Sequence, residues 1–288
     1  MIANKWADLH LHSTCSDGTE RPADIIRRAA ELKFTCVSLT DHDTVAGLAE
    51  ASEEAERLGV ELIPGIEISA HINEKSVHIL GYLMDIQSEQ LQRIISSNQS
   101  GRMTRMIRMV AKLNELGYKV DLDELLNFVG QGTIGRSLLA KFLVKKGFFK
   151  HPEEVFASIL GDGKAVYEPV PKFSPEEVLS LIHMAGGVSS LAHPGFTGID
   201  YLIPELVEAG LDGLEVYSSQ HDPAVTEKYK RMAEEMDLLV TGGSDSHGPI
   251  GGWRKIGAVR LDYGHVERLK DRVNRRGALK LAPGGNAI

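Results

Sequence analysis

At 288 residues the chain is long enough for one large α/β barrel or for two modest domains. Its 42% hydrophobic and 25% charged content is ordinary for a soluble globular protein, and no apolar run approaches the roughly 20 residues that span a bilayer. A net charge of −8 argues against a broad nucleic-acid surface, and two cysteines, Cys15 and Cys36, are too few for a disulfide framework.

The N-terminal residues lead almost directly into a first strand at about Trp6 to His12, leaving no room for a signal peptide, so a cytoplasmic location is expected. A helix with apolar positions Ile25, Ile26, Ala29 and Leu32 follows. A second strand spans Phe34 to Thr40, and the helix after it is expected to be capped at Thr44 and stopped by Gly59. Third and fourth strands are predicted at about Glu61 to Ile68 and Ser76 to Tyr82.

There the alternation lapses. Helices are predicted over Ser88 to Leu116, Leu122 to Phe128, Arg136 to Lys146 and Pro152 to Leu160, a helical insertion of about eighty residues. The pattern resumes at Ser174-Pro175-Glu176-Glu177, which reads as a capping box with proline at the first helical position. Strands follow at Val188 to Ala192, Gly213 to Tyr217 and Leu238 to Gly242, then a short one at Gly257 to Leu261 and a basic C-terminal helix. Strands alternating with helices indicate an α/β fold with a parallel sheet. The insertion divides it into segments 1–86, 87–170 and 171–288.

Six of the eleven histidines sit beside a carboxylate or at a predicted strand end. They fall in Asp8-Leu9-His10-Leu11-His12, Thr40-Asp41-His42, Val77-His78, Ala192-His193-Pro194 and Gly243-Ser244-Asp245-Ser246-His247, with Ser16-Asp17-Gly18 and Gly65-Ile66-Glu67 supplying further carboxylates. Imidazole and carboxylate are the donor set suited to Zn, Mn and Fe. Nine such side chains exceed the needs of one ion, but two or three ions sharing a carboxylate would use them, an arrangement that does hydrolysis. His10 and His12 point to the same side of a strand, and a parallel barrel brings the carboxyl ends of distant strands together.

These motifs, in order and over nearly the whole chain, resemble the PHP (polymerase and histidinol phosphatase) superfamily. The insertion resembles the subgroup of nucleotide 3′,5′-bisphosphate phosphatases and 5′–3′ exoribonucleases. The resemblance implies a distorted TIM-like (β/α)7 barrel and a metal-dependent phosphoesterase. By it, a first metal takes His10, His12, Glu67 and Asp245, and a second takes Glu67, His78 and His193. A third takes Asp17, His42 and His247, with Asp17 where some branches carry histidine. Manganese is the expected ion, with zinc or iron as alternatives, and the expected partner is a nucleotide or short oligoribonucleotide rather than a duplex or a membrane.

Arg136, where a helix begins, suits bidentate phosphate contact, and the resemblance assigns it that role, with Lys164 as a second phosphate candidate. Relatives usually carry histidine where this chain has Leu138. Arg102, Arg105 and Arg108, repeating every three residues, read as a solvated helix face, with a basic stripe facing a nucleotide as the alternative, and Cys15 as either a plain loop thiol or one near the metals. Glu215 is a candidate to orient a metal ligand. His71, His151, His183, His221 and His265 read as structural or surface residues, His221 bordering the pocket. Two other functions stay open, a small-metabolite phosphatase of the histidinol phosphatase type and a non-catalytic metal-binding module.

Overall fold

β1 (Trp6–Leu11) buries every residue after Trp6. The computed structural model describes residues 5–72, 75–130, 132–169, 173–249 and 255–281. The chain then alternates through α1 (Pro22–Glu31), β2 (Cys36–Leu39), α2 (Leu48–Leu58) and β3 (Glu61–Ile72). Ile25, Ile26 and Ala29 on one face of α1 pack with Leu48, Ala51 and Ala55 of α2 against Val37 and Leu39. Thr44 does not cap α2, which starts behind Gly47. Its hydroxyl accepts from the Ala46 N–H inside the preceding turn, the local bond by which threonine competes with a helix start. Gly59 ends α2 as expected, in the left-handed conformation at φ 68°.

β4 (Lys75–Tyr82) departs from an all-parallel barrel. It pairs antiparallel with β3, from Gly65 opposite Tyr82 to Ile72 opposite Lys75, and antiparallel again with β5 (Val188–Leu191). The reason lies in the connection, because a parallel crossover needs a dozen or more residues and only two residues of sequence separate β3 from β4. Running backwards, β4 presents its first half, with His78, where the other strands present their last. Ala192 donates its N–H to His78 O at 3.0 Å.

Between β4 and β5 lie α3 (Glu89–Glu115), α4 (Leu122–Val129), α5 (Arg136–Lys145), α6 (Pro152–Val155) with a π-turn over Phe156–Leu160, and α7 (Pro175–Met184). Met109, Leu113, Leu125, Leu139, Phe142 and Leu160 form a core of these helices' own. The expected end of the insertion at residue 170 falls outside the described residues. α7 opens on the predicted capping box, Ser174 N–H donating to Glu177 Oε2 at 2.8 Å and Glu177 N–H to Ser174 Oγ at 3.3 Å.

The chain continues through α8 (Pro194–Thr197), α9 (Ile203–Glu208), β6 (Gly213–Ser218), α10 (Pro223–Glu235), β7 (Leu239–Gly243), β8 (Leu261–Asp262) and α11 (Gly264–Leu281). Strand order is β7-β6-β5-β4-β3-β2-β1-β8, with β8 a short antiparallel neighbour of β1. β7 and β1, at opposite ends of the seven main strands, close on each other: His12 N–H donates to Ser246 O and Asp245 N–H to His10 O, both at 2.9 Å. Gly243 permits that approach, because a Cβ there would stand 2.3 Å from His10 Cβ. The result is the expected distorted barrel. Fully buried Tyr82 plugs it, donating its hydroxyl to Leu9 O at 2.9 Å among Leu80, Ile63 and Val188.

Candidate metal centre

Each candidate ligand is aimed by contacts of its own segment. Asp41 Oδ1 accepts from Ser13 N–H at 2.7 Å and from the Ser16 hydroxyl at 2.6 Å, and Oδ2 accepts from the Ser13 hydroxyl at 2.6 Å. That turns the 13–19 loop back over β1 and brings Asp17 above His12. Past β2, Asp43 donates its N–H to Glu67 O at 2.9 Å, fixing His42 beside β3. Asp43, His193 and Asp245 all have positive φ, 50°, 29° and 52°. Non-glycine residues persist in such strained backbone only where their surroundings enforce it. Here Asp43 accepts from Ser69 N–H, Asn98 and Arg102, while His193 donates its N–H to Glu215 Oε2 at 2.7 Å.

Glu67 stands at the middle of the cluster with its two oxygens facing different partners. Oε2 lies 3.3 Å from His10 Nε2, 3.2 Å from His12 Nε2 and 3.0 Å from His42 Nδ1. Oε1 lies 2.8 Å from His78 Nδ1 and 3.2 Å from His193 Nε2. Asp245 Oδ1 is 3.2 Å from His12 Nε2, 3.5 Å from His10 Nε2 and 3.6 Å from His247 Nδ1. Asp17 Oδ1 is 3.1 Å from His247 Nε2 and 4.0 Å from His42 Nε2. All nine residues singled out for metal binding are thus brought together. Among the described residues, three donor groups are compact enough for an ion: His12, Asp17, His42 and His247; His10, His12 and Glu67; His42, Glu67 and His78. The partition is looser than the resemblance implies, since His12 also joins the Asp17 group and His42 also faces Glu67.

The donor set fits cations. His10 Nε2, His12 Nε2, Asp17 Oδ1, His42 Nδ1, Glu67 Oε2 and His78 Nδ1 are buried and have no hydrogen-bond partner. Buried polar atoms are normally satisfied, so six orphans facing one another require an explanation. Donors held about 2.0–2.2 Å from a shared Zn-like ion stand roughly 3–3.5 Å apart, the spacing found here.

Charge points the same way. Burial alone would raise the Glu67 carboxyl, but His42, His78 and His10 hold it well below the usual range. His10, His12 and His247 do the same for Asp245, and His247 and His42 for Asp17, each against burial. Burial also opposes a charged His12, yet Asp245 and Glu67 push it up to about 10, whereas burial dominates at His42 and drives it down to about 3. The cage holds negative charge and takes up either protons or cations.

Around the donors lies a supporting layer. His10 Nδ1 lies 2.8 Å from Glu215 Oε1, so Glu215 orients one ligand with each oxygen, a part foreseen for it from its place on β6. Gln220 was missed: its Nε2 donates to Asp245 Oδ2 at 2.8 Å. Asp41 and Asp8 were also missed. Asp8 Oδ1 accepts from Ser244 N–H at 2.9 Å across the closing seam, and burial raises its carboxyl to about 6. Asp8 does share the period-two face of His10 and His12, which was a usable signal.

A profile described as PHP domain matches residues 8–142. A 3′,5′-nucleoside bisphosphate phosphatase of Chromobacterium violaceum is 35% identical over 268 residues, covering 91% of this chain and 92% of that protein. A 5′-3′ exoribonuclease of Haemophilus influenzae is 32% identical over 258 residues, covering 88% and 93%. The chain belongs to the PHP family. The solved structure of a candidate metal-dependent phosphoesterase from Bifidobacterium adolescentis superposes on this PHP protein with a TM-score of 0.86 at 33% identity, over 94% of this chain and 96% of that one.

The expected substrate residues of this PHP protein lie outside the donor cluster. Arg136 begins α5, donates to Asp162 and to Leu160 O, and lies against the rings of Phe156 and Tyr167. Lys164 is exposed on the following loop. Leu138 is buried, and Cys15 accepts through its carbonyl from Thr133 N–H, joining loop to insertion. The reading of a solvated arginine face fails for two of three residues. Arg102 donates from Nε to Asp43 Oδ2 and from Nη2 to Ser69 Oγ, both at 2.7 Å, and Arg105 is buried with its guanidinium pushed down to about 9 by burial and by Arg136 and Arg102. Arg108 stays exposed. α3 meets the barrel at Arg102, while Arg105 turns into the insertion, over the ring of Tyr167. His221 borders the centre through Gly195, while His183 pairs with Asp212 at the far end of the barrel.

Proposed function

We propose that the chain hydrolyses phosphate esters of nucleotides with the help of divalent metal ions, removing the 3′-phosphate of adenosine 3′,5′-bisphosphate, trimming short RNA from the 5′ end, or both. The observation that carries this reading is Glu67, whose two oxygens face separate sets of histidines as a carboxylate shared between ions must. His10, His12, Glu67 and Asp245 would hold one ion, Glu67, His78 and His193 a second, and Asp17, His42 and His247 a third. Asp17, where some branches carry histidine, makes the third set harder and so favours manganese. Cations bound there supply activation of water at neutral pH and offset charge on the phosphoryl group.

The remaining work belongs to side chains. Glu215 accepts the His10 Nδ1 proton, which leaves the Nε2 lone pair toward the centre and fixes the ring. Gln220 occupies the Asp245 oxygen that faces away from His10 and His12. The helical segment 87–170 acts as the substrate-recognition subdomain. Arg136, at a helix start that no side chain caps, would exchange Asp162 for a substrate phosphate, with Lys164, two residues past Asp162, to assist. The relatives named above act on nucleotides and RNA, and such partners suit a chain whose net charge disfavours duplex binding. Two cysteines, one of them fully buried, suit a reducing cytoplasm.

The test is turnover of mono-, bis- and oligonucleotides and of histidinol phosphate with manganese, zinc and iron. Preference for the bisphosphate or the oligonucleotide is expected. Preference for histidinol phosphate would move the chain to the metabolite phosphatases. No hydrolysis, together with fewer than two ions bound per chain, would leave a non-catalytic module.

A further inference from the structure

One aromatic side chain at the rim of the centre is left without a packing role. Phe196 is 72% exposed, more than any other large hydrophobic residue among those described, and Tyr201 on the same segment is 62% exposed. Looseness does not account for this. The segment is pinned at one end by Gly195 N–H donating to His221 Nε2 at 3.2 Å, and at the other by Tyr229 and Lys228 on Asp200. Ile199, between these anchors, and Leu202, just past the second, are buried in the main core. The chain therefore turns these two apolar residues inward while holding Phe196 out in water. The Phe196 ring meets the His193 ring edge-on, at 90° with centroids 6.1 Å apart, and His193 Nε2 is 3.2 Å from Glu67 Oε1. An aromatic ring on an anchored segment is thus offered to solvent within a nucleotide's length of the donor cluster.

We infer that Phe196 is the stacking platform for the base of a substrate whose phosphate is at the donor cluster, an inference that rests on the nucleotide reading above. Every base has a π-face, so stacking tolerates sequence. The site accordingly selects for the presence of a base rather than for its identity.

The experiment compares adenosine 3′,5′-bisphosphate with the base-free ribose 3,5-bisphosphate on the manganese-loaded enzyme. For F196A, the KM for the nucleotide should rise about tenfold or more relative to its change for the base-free compound, a ratio that F196W restores. In F196W, indole fluorescence should be quenched by the nucleotide and not by the base-free compound. Equal KM changes for both compounds, or no change for either, would overturn the inference and leave the phosphoesterase reading intact, Phe196 then merely shielding His193. If the wild-type enzyme hydrolyses no nucleotide ester, the functional reading falls and this inference falls with it.

Discussion

Two buried carboxylates organise the two ends of the barrel, and they are surrounded in opposite ways. Asp212, at the amino end, is saturated. Its oxygens accept from Arg276 through both guanidinium nitrogens, from Arg272 at 3.2 Å, from His183 Nε2 at 2.9 Å and from Ser189 N–H at 3.0 Å. Glu67, at the carboxyl end, is ringed by five histidines, with donor atoms on both sides left unpaired. A charge held by arginines and backbone amides is finished, because guanidinium cannot lose its proton and binds nothing more. A charge held by imidazoles is provisional, because each ring can trade its proton for a metal. Burial and charge alone do not tell a structural cluster from a chemical one. Unsatisfied donors do.

The sharpest break in that contrast is E67Q. It keeps the shape and removes the charge that collects cations, so turnover should fall on the order of 10³-fold or more. Manganese at a hundred times its dissociation constant should stabilise the wild type by about 2.7 kcal/mol and the variant far less. Thermal unfolding with and without manganese reads the difference, and an equal shift in both proteins would remove Glu67 from the centre. Next comes E215Q, which keeps one acceptor oxygen where His10 Nδ1 and the His193 N–H now use two, while leaving every donor around Glu67 in place. A drop of roughly 10–100-fold in activity or metal affinity is expected, read by metal titration and steady-state kinetics. Unchanged values would reduce Glu215 to a packing role.

How far this contrast was legible in the sequence depended on the kind of contact. His10, His12, His42, His193, Asp245 and His247 were readable because each lies at a strand end, and strand ends meet in a barrel whatever the loops do. Asp212 was not readable. Its partners Arg272 and Arg276 lie about sixty residues away on α11, and nothing local marks an aspartate before a strand as the anchor of a helix. Arg102 and Arg105 misled for a related reason, since a helix's own periodicity cannot say which residues meet the barrel and which meet the rest of the insertion. The reversed β4 could have been foreseen from the length of the connection before it, had that length been weighed against what a crossover requires.

D212N is the reciprocal break and the smallest effect. It should leave the turnover number unchanged and loosen α11 from the barrel, costing about 1–3 kcal/mol, because Arg272 and Arg276 are partly exposed and water replaces some of what they lose. The pH dependence gives its signature. Burial would raise the Asp212 carboxyl, but His183, Ser189 and Arg276 hold it below its ordinary value. A carboxyl lowered on folding adds stability that is fully present above its unfolded pKa, near 3.9, and is lost as pH falls through the folded value. The gap in unfolding free energy between wild type and D212N should therefore be constant from pH 7 down to about 5, then close as the acid range is entered. A gap independent of pH would mean that the variant acts through packing, and that Asp212 does not hold the ionised cluster on which the contrast with Glu67 depends.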